Sequence, residues 1–191
     1  MSKKQKLVTT AKKLFWQHGV RRVTIEEICN EAGVSKMTFY KHFKNKVELA
    51  LFIMQKFNEE GMQRYHNVMN SNRPFDEKIR EIILLKLEQT EELSQPMFKD
   101  IHQNRVPELK TYFDQIAKKN IETILQDFAL AQKNGDVRPD VNLQFLFYML
   151  NQMLSMARDE KLQALYKKPQ TLVIELTTFF FYGILPRQGE K

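Results

Sequence analysis

Apolar residues recur at helical spacing along almost the whole chain. In the first segment Leu7, Ala11, Leu14 and Phe15 fall at i, i+4, i+7 and i+8, with Lys12 and Lys13 off that stripe and Gly19 as a stop. The pattern predicts a helix over about residues 4–18. A second begins at Thr24, where T-x-x-E sets Thr24 and Glu27 at the spacing of a reciprocal capping box. Ile25, Ile28, Cys29 and Ala32 form its buried stripe, Gly33 suits the left-handed position that ends a helix, and Ser35 can cap the next one. Helix, glycine turn and short helix make the pattern of a helix-turn-helix.

The third segment, about Lys36 to His42, is too short to be stable alone and must be held by packing. Phe39 and Phe43, four apart with Val34 beneath them, are its anchors. Asn45 and Glu48 repeat the capping-box spacing, and Leu49, Phe52, Ile53 and Phe57 carry a fourth helix to about residue 70, with Gly61 a point where it can bend. Five more helices are expected over about 75–93, 96–103, 107–133, 142–160 and 169–183. They are separated by Pro74, Ser94 with Pro96, Pro107, the loop "NGDVRPD" (134–140), Pro169, and Gly183 followed by Pro186. No strand alternation, internal repeat or long heptad run interrupts this reading. The expected architecture is all-α with about nine helices: an N-terminal three-helix helix-turn-helix unit over residues 1–46 and a larger helical domain over 47–191.

Charge distinguishes the two parts. Of 191 residues, the first fifty hold eleven bases and four acids, while the other 141 hold 19 of each sign. The whole net charge of +7 therefore lies in the first quarter of the chain, as expected where one part faces a polyanion. Composition is otherwise that of a folded globular protein, 42% hydrophobic and 28% charged. The lone Cys29 forms no internal disulfide, the N-terminus lacks the apolar run of a secretory signal, and the runs "FLFYML" and "TTFFFYGIL" fall far short of a membrane span. A soluble protein of the reducing cytoplasm is expected, with no membrane partner.

On a helical wheel of about 100° per residue, with Phe39 and Phe43 turned inward, Met37, Thr38 and Lys41 point outward, Lys36 and Tyr40 flank one side and His42 the other. These groups suit duplex DNA. Lys and Thr can read base edges, Met37 can touch a thymine methyl, and Tyr40 and His42 can donate to phosphate. The helix starts near Thr24 and Lys46 offer amides that can hold a phosphate, with the Lys46 ammonium reinforcing the second. Each residue singly fits an ordinary surface or packing role; the set on one exposed face favours nucleic acid.

The stretch "TIEEICNEAGVSKMTFYKHFKNKVEL", with "AKKLFWQHGV" before it, resembles the DNA-binding signature of the TetR family of bacterial repressors. "NGDVRPD" is similar to the turn before that family's dimerisation helices. The resemblance implies a regulator that binds double-stranded DNA at a palindromic operator as a homodimer, is released by a small-molecule effector, and uses no cofactor or metal. It places DNA contacts on Thr24, Ser35, Lys36, Thr38, Tyr40, His42 and Lys46. Met37 and Lys41 depart from the family pattern, which commonly has a small residue and an aromatic there. Both lie on the exposed face, so the operator sequence cannot be copied from relatives.

The last two long helices are the expected dimer interface. "LQFLFYMLNQMLSM" is apolar on more than one face and "LVIELTTFFFYGIL" carries one charge, Glu175; a helix apolar all round needs cover on every side. Composition fits a deep monomer core equally well, and the two-fold logic of reading palindromic DNA favours the dimer. The resemblance implies an effector cavity in the middle helices, for which Met62, Tyr65, His66, Met97, Phe98, His102, Tyr112, Phe113, Phe147 and Met153 are candidates, although each also suits plain core. An apolar or aromatic effector fits these side chains. A protein partner in place of the effector is the alternative within the same class.

An enzyme is the remaining alternative, and its signatures are missing. The six glycines are isolated, so no phosphate-cradling loop exists; the four histidines are dispersed; and neither G-x-S-x-G nor H-E-x-x-H occurs. Cys29 lies on a buried stripe, which suits an inert thiol.

Overall fold

The computed structural model describes residues 1–91 and 94–185, and every regular element among them is a helix. In chain order these are α1 (Lys3–His18), α2 (Ile25–Ala32), α3 (Lys36–His42), α4 (Lys46–Met69), α5 (Phe75–Glu91), α6 (Gln95–His102), α7 (Pro107–Lys133), α8 (Leu143–Arg158), α9 (Glu160–Gln163) and α10 (Pro169–Ile184). All nine expected helices are present. The expected end of α5 at residue 93 and the break at Pro186 lie outside the described residues. No described helix is long and apolar enough to cross a membrane.

The helix α9 is an addition to the sequence reading, which ran one helix to residue 160. Asp159 takes an extended backbone conformation that ends α8, and its carboxylate then accepts from the amides of Lys161 (2.8 Å) and Leu162 (3.2 Å), starting a new turn. A side chain that competes for its own following amides breaks one helix and caps the next.

By packing, the described chain forms two compact units, one drawn from residues 1–60 and 91–114, the other from 61–90 and from 115 onward. In the first, α1 contributes Leu7, Ala11 and Phe15, α2 Ile28 and Cys29, α3 Phe39, and α4 Leu49 and Ile53. Met97 and Ile101 of α6 and Leu109 of α7 complete the same core. Burial pushes the Cys29 thiol up, as befits a core residue. The second unit closes around Ile79, Phe128, Val137, Leu146, Phe180 and Phe181. The Phe128 ring lies 6.1 Å from that of Phe180 and 5.8 Å from that of Phe181. The "NGDVRPD" turn is held there by the Gln132 side-chain amide, which donates to the carbonyls of Arg138 (2.9 Å) and Val141 (2.8 Å), with Val137 buried beneath.

Local signals explain the helix-turn-helix segment. Glu27 N–H donates to Thr24 Oγ1 (3.1 Å) and Thr24 N–H donates to Glu27 Oε2 (2.7 Å), the full reciprocal box. Gly33 takes φ +64°, a left-handed conformation at which a side chain would be strained, and Val34 N–H donates back to the Cys29 carbonyl (3.0 Å). Ser35 Oγ accepts from Thr38 N–H (3.2 Å) to start α3. At α4 only half of the expected box forms. Glu48 N–H donates to Asn45 Oδ1 (2.9 Å), but the Glu48 carboxylate accepts from the amide of Lys44, one residue before Asn45.

With seven residues α3 depends on its buried anchor. Phe39→Ala is expected to cost about 3–5 kcal/mol of unfolding free energy in urea titration, the range for emptying a buried aromatic site. A loss below about 1 kcal/mol would show that α3 is held some other way.

Candidate nucleic-acid interface

The candidate recognition surface is built from α3 outward. Phe39 is fully buried (0% exposed), and its ring meets those of Phe43 at 6.1 Å and Tyr40 at 5.5 Å. Fixing these inward leaves Lys36, Met37, Tyr40, Lys41 and His42 exposed, with Met37 at 71% and Tyr40 at 58%. A thioether and a phenol so open to water, on a helix whose other side is locked in core, form a rigid mixed face of cations, hydrogen-bond donors and one apolar tip. Thr38 is half-buried and its hydroxyl lies 3.0 Å from Ser35 Oγ, so both hydroxyls serve the helix start while remaining at its rim.

Acidic neighbours modify the cations. Lys36 Nζ donates to Glu26 Oε2 at 2.9 Å; this hydrogen bond, with the carboxylate's charge, raises the ammonium's pKa and draws it toward α2. The pair is exposed on both sides, so it is weak and exchangeable. Thr24 is occupied by its capping box, and the hydrogen bonds from Thr24 hold the Glu27 carboxyl below its usual range. The amides of Thr24 and Glu27 are thus taken, leaving those of Ile25 and Glu26 in the first turn for an anion.

Lys46 has a different place from the one the sequence suggests. It is half-buried, and its Nζ donates to the carbonyls of Arg21 (2.9 Å) and Val23 (2.8 Å), in the segment between α1 and α2. Burial lowers its pKa, with Asp100 and Glu27 opposing that shift. Sequence reasoning counted Arg21 and Arg22 only as charge. Both side chains are exposed immediately before Thr24, and two arginines ahead of a helix cap are the signal that was available. On α1, Lys4 Nζ stands 4.7 Å from the Phe52 ring centroid and Lys12 Nζ 5.6 Å from that of Trp16, cations stacked on aromatic faces.

The effector candidates divide between the two units. In the first, the His102 ring stacks against Phe98 (4.3 Å) and meets the edge of Phe113 (4.8 Å); Met97 is core, and Tyr112 is half-buried with its phenol pushed up by burial and by Glu59. In the second, Tyr65 donates to Asp127 Oδ2 (2.9 Å), and burial, then Asp127, raises its pKa; His66 meets the edge of the Tyr65 ring (5.6 Å). Met62 and Met153 pack against that core, whereas Phe147 is exposed on α8. No cluster of three or more His, Cys, Asp or Glu side chains that could hold a metal occurs among the described residues.

Residues 7–52 match the family model of bacterial regulatory proteins, tetR family. The chain is 29% identical over 116 residues to the uncharacterized HTH-type transcriptional regulator YerO of Bacillus subtilis, an alignment spanning 58% of this chain and 40% of that protein. It is 31% identical over 87 residues to the probable acrEF/envCD operon repressor of Escherichia coli, spanning 44% of this chain and 39% of that one. The chain thus covers well under half the length of these two relatives. The fold matches the solved structure of SmeT, the repressor of the Stenotrophomonas maltophilia multidrug efflux pump SmeDEF, with a TM-score of 0.67 and 18% identity over 97% of this chain and 91% of that one. Residues 7–52 thus carry the signature of the tetR family of bacterial regulatory proteins, on a chain whose all-helical fold matches that of SmeT.

Proposed function

We propose that this regulator is a cytoplasmic homodimeric repressor that grips a palindromic operator with two copies of α3 and is released by a small apolar or aromatic effector. Residues 1–46 are its DNA-binding domain and residues 47–191 its effector and dimerisation domain. The observation that carries the reading is the α3 face, with Met37 and Tyr40 largely exposed on a helix pinned by Phe39. Lys36, Met37, Thr38 and Lys41 contact base edges, while the Ile25 and Glu26 amides that follow the Thr24 cap, with Ser35, Tyr40 and His42, hold phosphates. The Escherichia coli relative is a probable operon repressor and SmeT is a repressor, which supports the same role here.

Dimerisation is supported by α8 and α10. Phe145 and Tyr148 on α8, and Phe179 (80% exposed) and Tyr182 on α10, turn large apolar side chains to water. An exposed apolar surface of that kind marks an association site, and a two-fold pairing of it sets two reading helices against two half-sites. Effector control is supported by the aromatic surroundings of His102 and of Tyr65. Helix α4 is continuous from Lys46 to Met69, so a ligand that prefers one tilt of it alters half-site spacing by shifting populations.

Three outcomes are expected. Operator affinity followed by fluorescence anisotropy falls with salt, log K dropping by about 0.9 per unit log salt for each phosphate neutralised; a flat dependence contradicts a phosphate-gripping face. In binding-site selection, Met37→Ala changes the preferred base at one position per half-site, whereas Tyr40→Phe weakens all sequences alike; the reverse pattern exchanges their roles. Phe179→Glu yields a folded monomer by sedimentation and weakens operator binding by at least about tenfold, since only one half-site is then held. A substituted protein that stays dimeric moves the interface off α10.

A further inference from the structure

The segment joining α1 to α2 is short, basic and unusually tied down. Val20 and Val23 are buried in the first unit's core, while Arg21 and Arg22 between them are exposed. The two flanking valines therefore anchor the backbone, and the pair between them presents two guanidinium groups just ahead of Thr24. A segment outside any helix leaves its peptide groups without regular partners, and here two charged side chains from distant helices supply them.

The first is Asp100 of α6. It is 3% exposed, and its Oδ2 accepts from Arg21 N–H at 3.0 Å. The second is Lys46 of α4, which grips the carbonyls of Arg21 and Val23. Arg21 is thus held at both peptide groups, its amide by an anion and its carbonyl by a cation. Gly19 makes the approach of α6 feasible: it adopts φ +80°, and a Cβ there would lie 2.6 Å from Asp100 Oδ2 and 3.2 Å from Pro96 Cβ. One turn earlier Ser94 N–H donates to the Trp16 carbonyl (3.2 Å), fixing the start of α6 to the end of α1. Burying a carboxylate is costly unless it is hydrogen-bonded and compensated, and the loop amide and the nearby ammonium provide both.

Nothing in a simple core requires this arrangement. An apolar side chain at position 100 would cover α1 without a buried charge, and Lys46 could reach solvent. What these two charged groups do that an apolar contact would not is orient peptide planes, and with them the direction in which the Arg21 and Arg22 side chains leave the backbone. We propose that Asp100, which lies outside the helix-turn-helix, is a positioning residue for DNA binding: with Lys46 it clamps the Arg21 peptide groups so that Arg21 and Arg22 meet the phosphate strand beside the N-terminus of α2. The proposal rests on the DNA-binding reading and extends the contact surface to two residues outside the predicted set.

The test uses the full-length protein and a labelled duplex enriched by the unsubstituted protein from a random library. Arg21→Ala with Arg22→Ala, both surface changes, should weaken binding about tenfold or more and lower the salt slope by up to about 1.8, the loss of two phosphates. Asp100→Ala should lower the slope in the same way without changing the preferred sequence. Asp100→Asn, whose side-chain oxygen can still accept from Arg21 N–H, should stay within about threefold of the native affinity. Placed on the double arginine background, Asp100→Ala should add little further loss, because its effect passes through those arginines. A purely structural role for Asp100 would lower the melting temperature and leave the salt slope of the folded protein unchanged, which overturns the proposal. Native affinity and slope in the arginine variant overturn it whether or not Asp100→Ala folds. If the unsubstituted protein enriches no duplex at all, the DNA-binding reading itself falls.

Discussion

The burial of one phenylalanine underlies the geometry of the recognition surface. Helix α3 has seven residues, barely two turns, and cannot nucleate or persist by its own hydrogen bonds. Phe39 inserts completely into the core made by α1, α2 and α4, and Phe43 follows one turn later. With those two positions fixed, the 100° rotation per residue determines where every other side chain points, so the exposed set from Lys36 to His42 follows from the anchor. Ser35 and Gly33 only define where the helix begins. A recognition helix needs such rigidity, because base-edge contacts tolerate little angular freedom.

The charge pattern shows a compromise that net charge conceals. The first fifty residues are strongly basic, yet three of their four acids are spent on local structure: Glu27 closes the α2 cap, Glu48 holds the Lys44 amide, and Glu26 pairs with Lys36. Each acid tempers self-repulsion within the free protein. The Glu26–Lys36 pair is exposed on both sides and is therefore weak and screened by salt. The apolar contacts and backbone caps therefore carry stability, and the exposed cations are free to serve binding. That division lets a surface be electrostatically primed without threatening the fold beneath it.

The elements were legible because their signals are local. Thr24 with Glu27, Gly33 and Ser35 sit within a few residues of the amides and carbonyls they serve, and α3's anchors are four apart. Asp159 shows the limit: its choice between continuing α8 and capping α9 depends on two amides whose competition a spacing rule does not rank. Lys46 shows a deeper limit. Local reading assigned its ammonium to a phosphate, whereas the carbonyls of Arg21 and Val23 that claim it come from more than twenty residues earlier in the chain. Asp100 was invisible for the same reason, since an isolated acid on a short helix resembles any solvated carboxylate until the fold buries it against Gly19. Sequence periodicity says which side of a helix is apolar and nothing about which helix covers it, so the contribution of α6 to the first unit's core needed coordinates.

The two apolar surfaces of the molecule differ in what they imply. Around Phe39 the inward apolar side chains are matched by neighbours in the same chain, and only Met37 and Tyr40 of α3 are left open to water. On α8 and α10 they are not: Phe180 and Phe181 of α10 interlock with Phe128 of α7 inside the second unit, while Phe145 and Tyr148 of α8 and Phe179 and Tyr182 of α10 face outward. A surface aromatic placed singly needs no explanation, but four on two adjoining elements expose enough carbon to drive association at roughly 25 cal/mol per Å² covered. Helix α10 packs on α8. A second copy of the chain related by two-fold symmetry would present the identical patch in return, which makes the surface self-complementary without any further design. In the proposed dimer this symmetry also requires the bound sequence to repeat in inverted order, so the aromatic residues of α10 and the palindromic form of the operator are consequences of one operation.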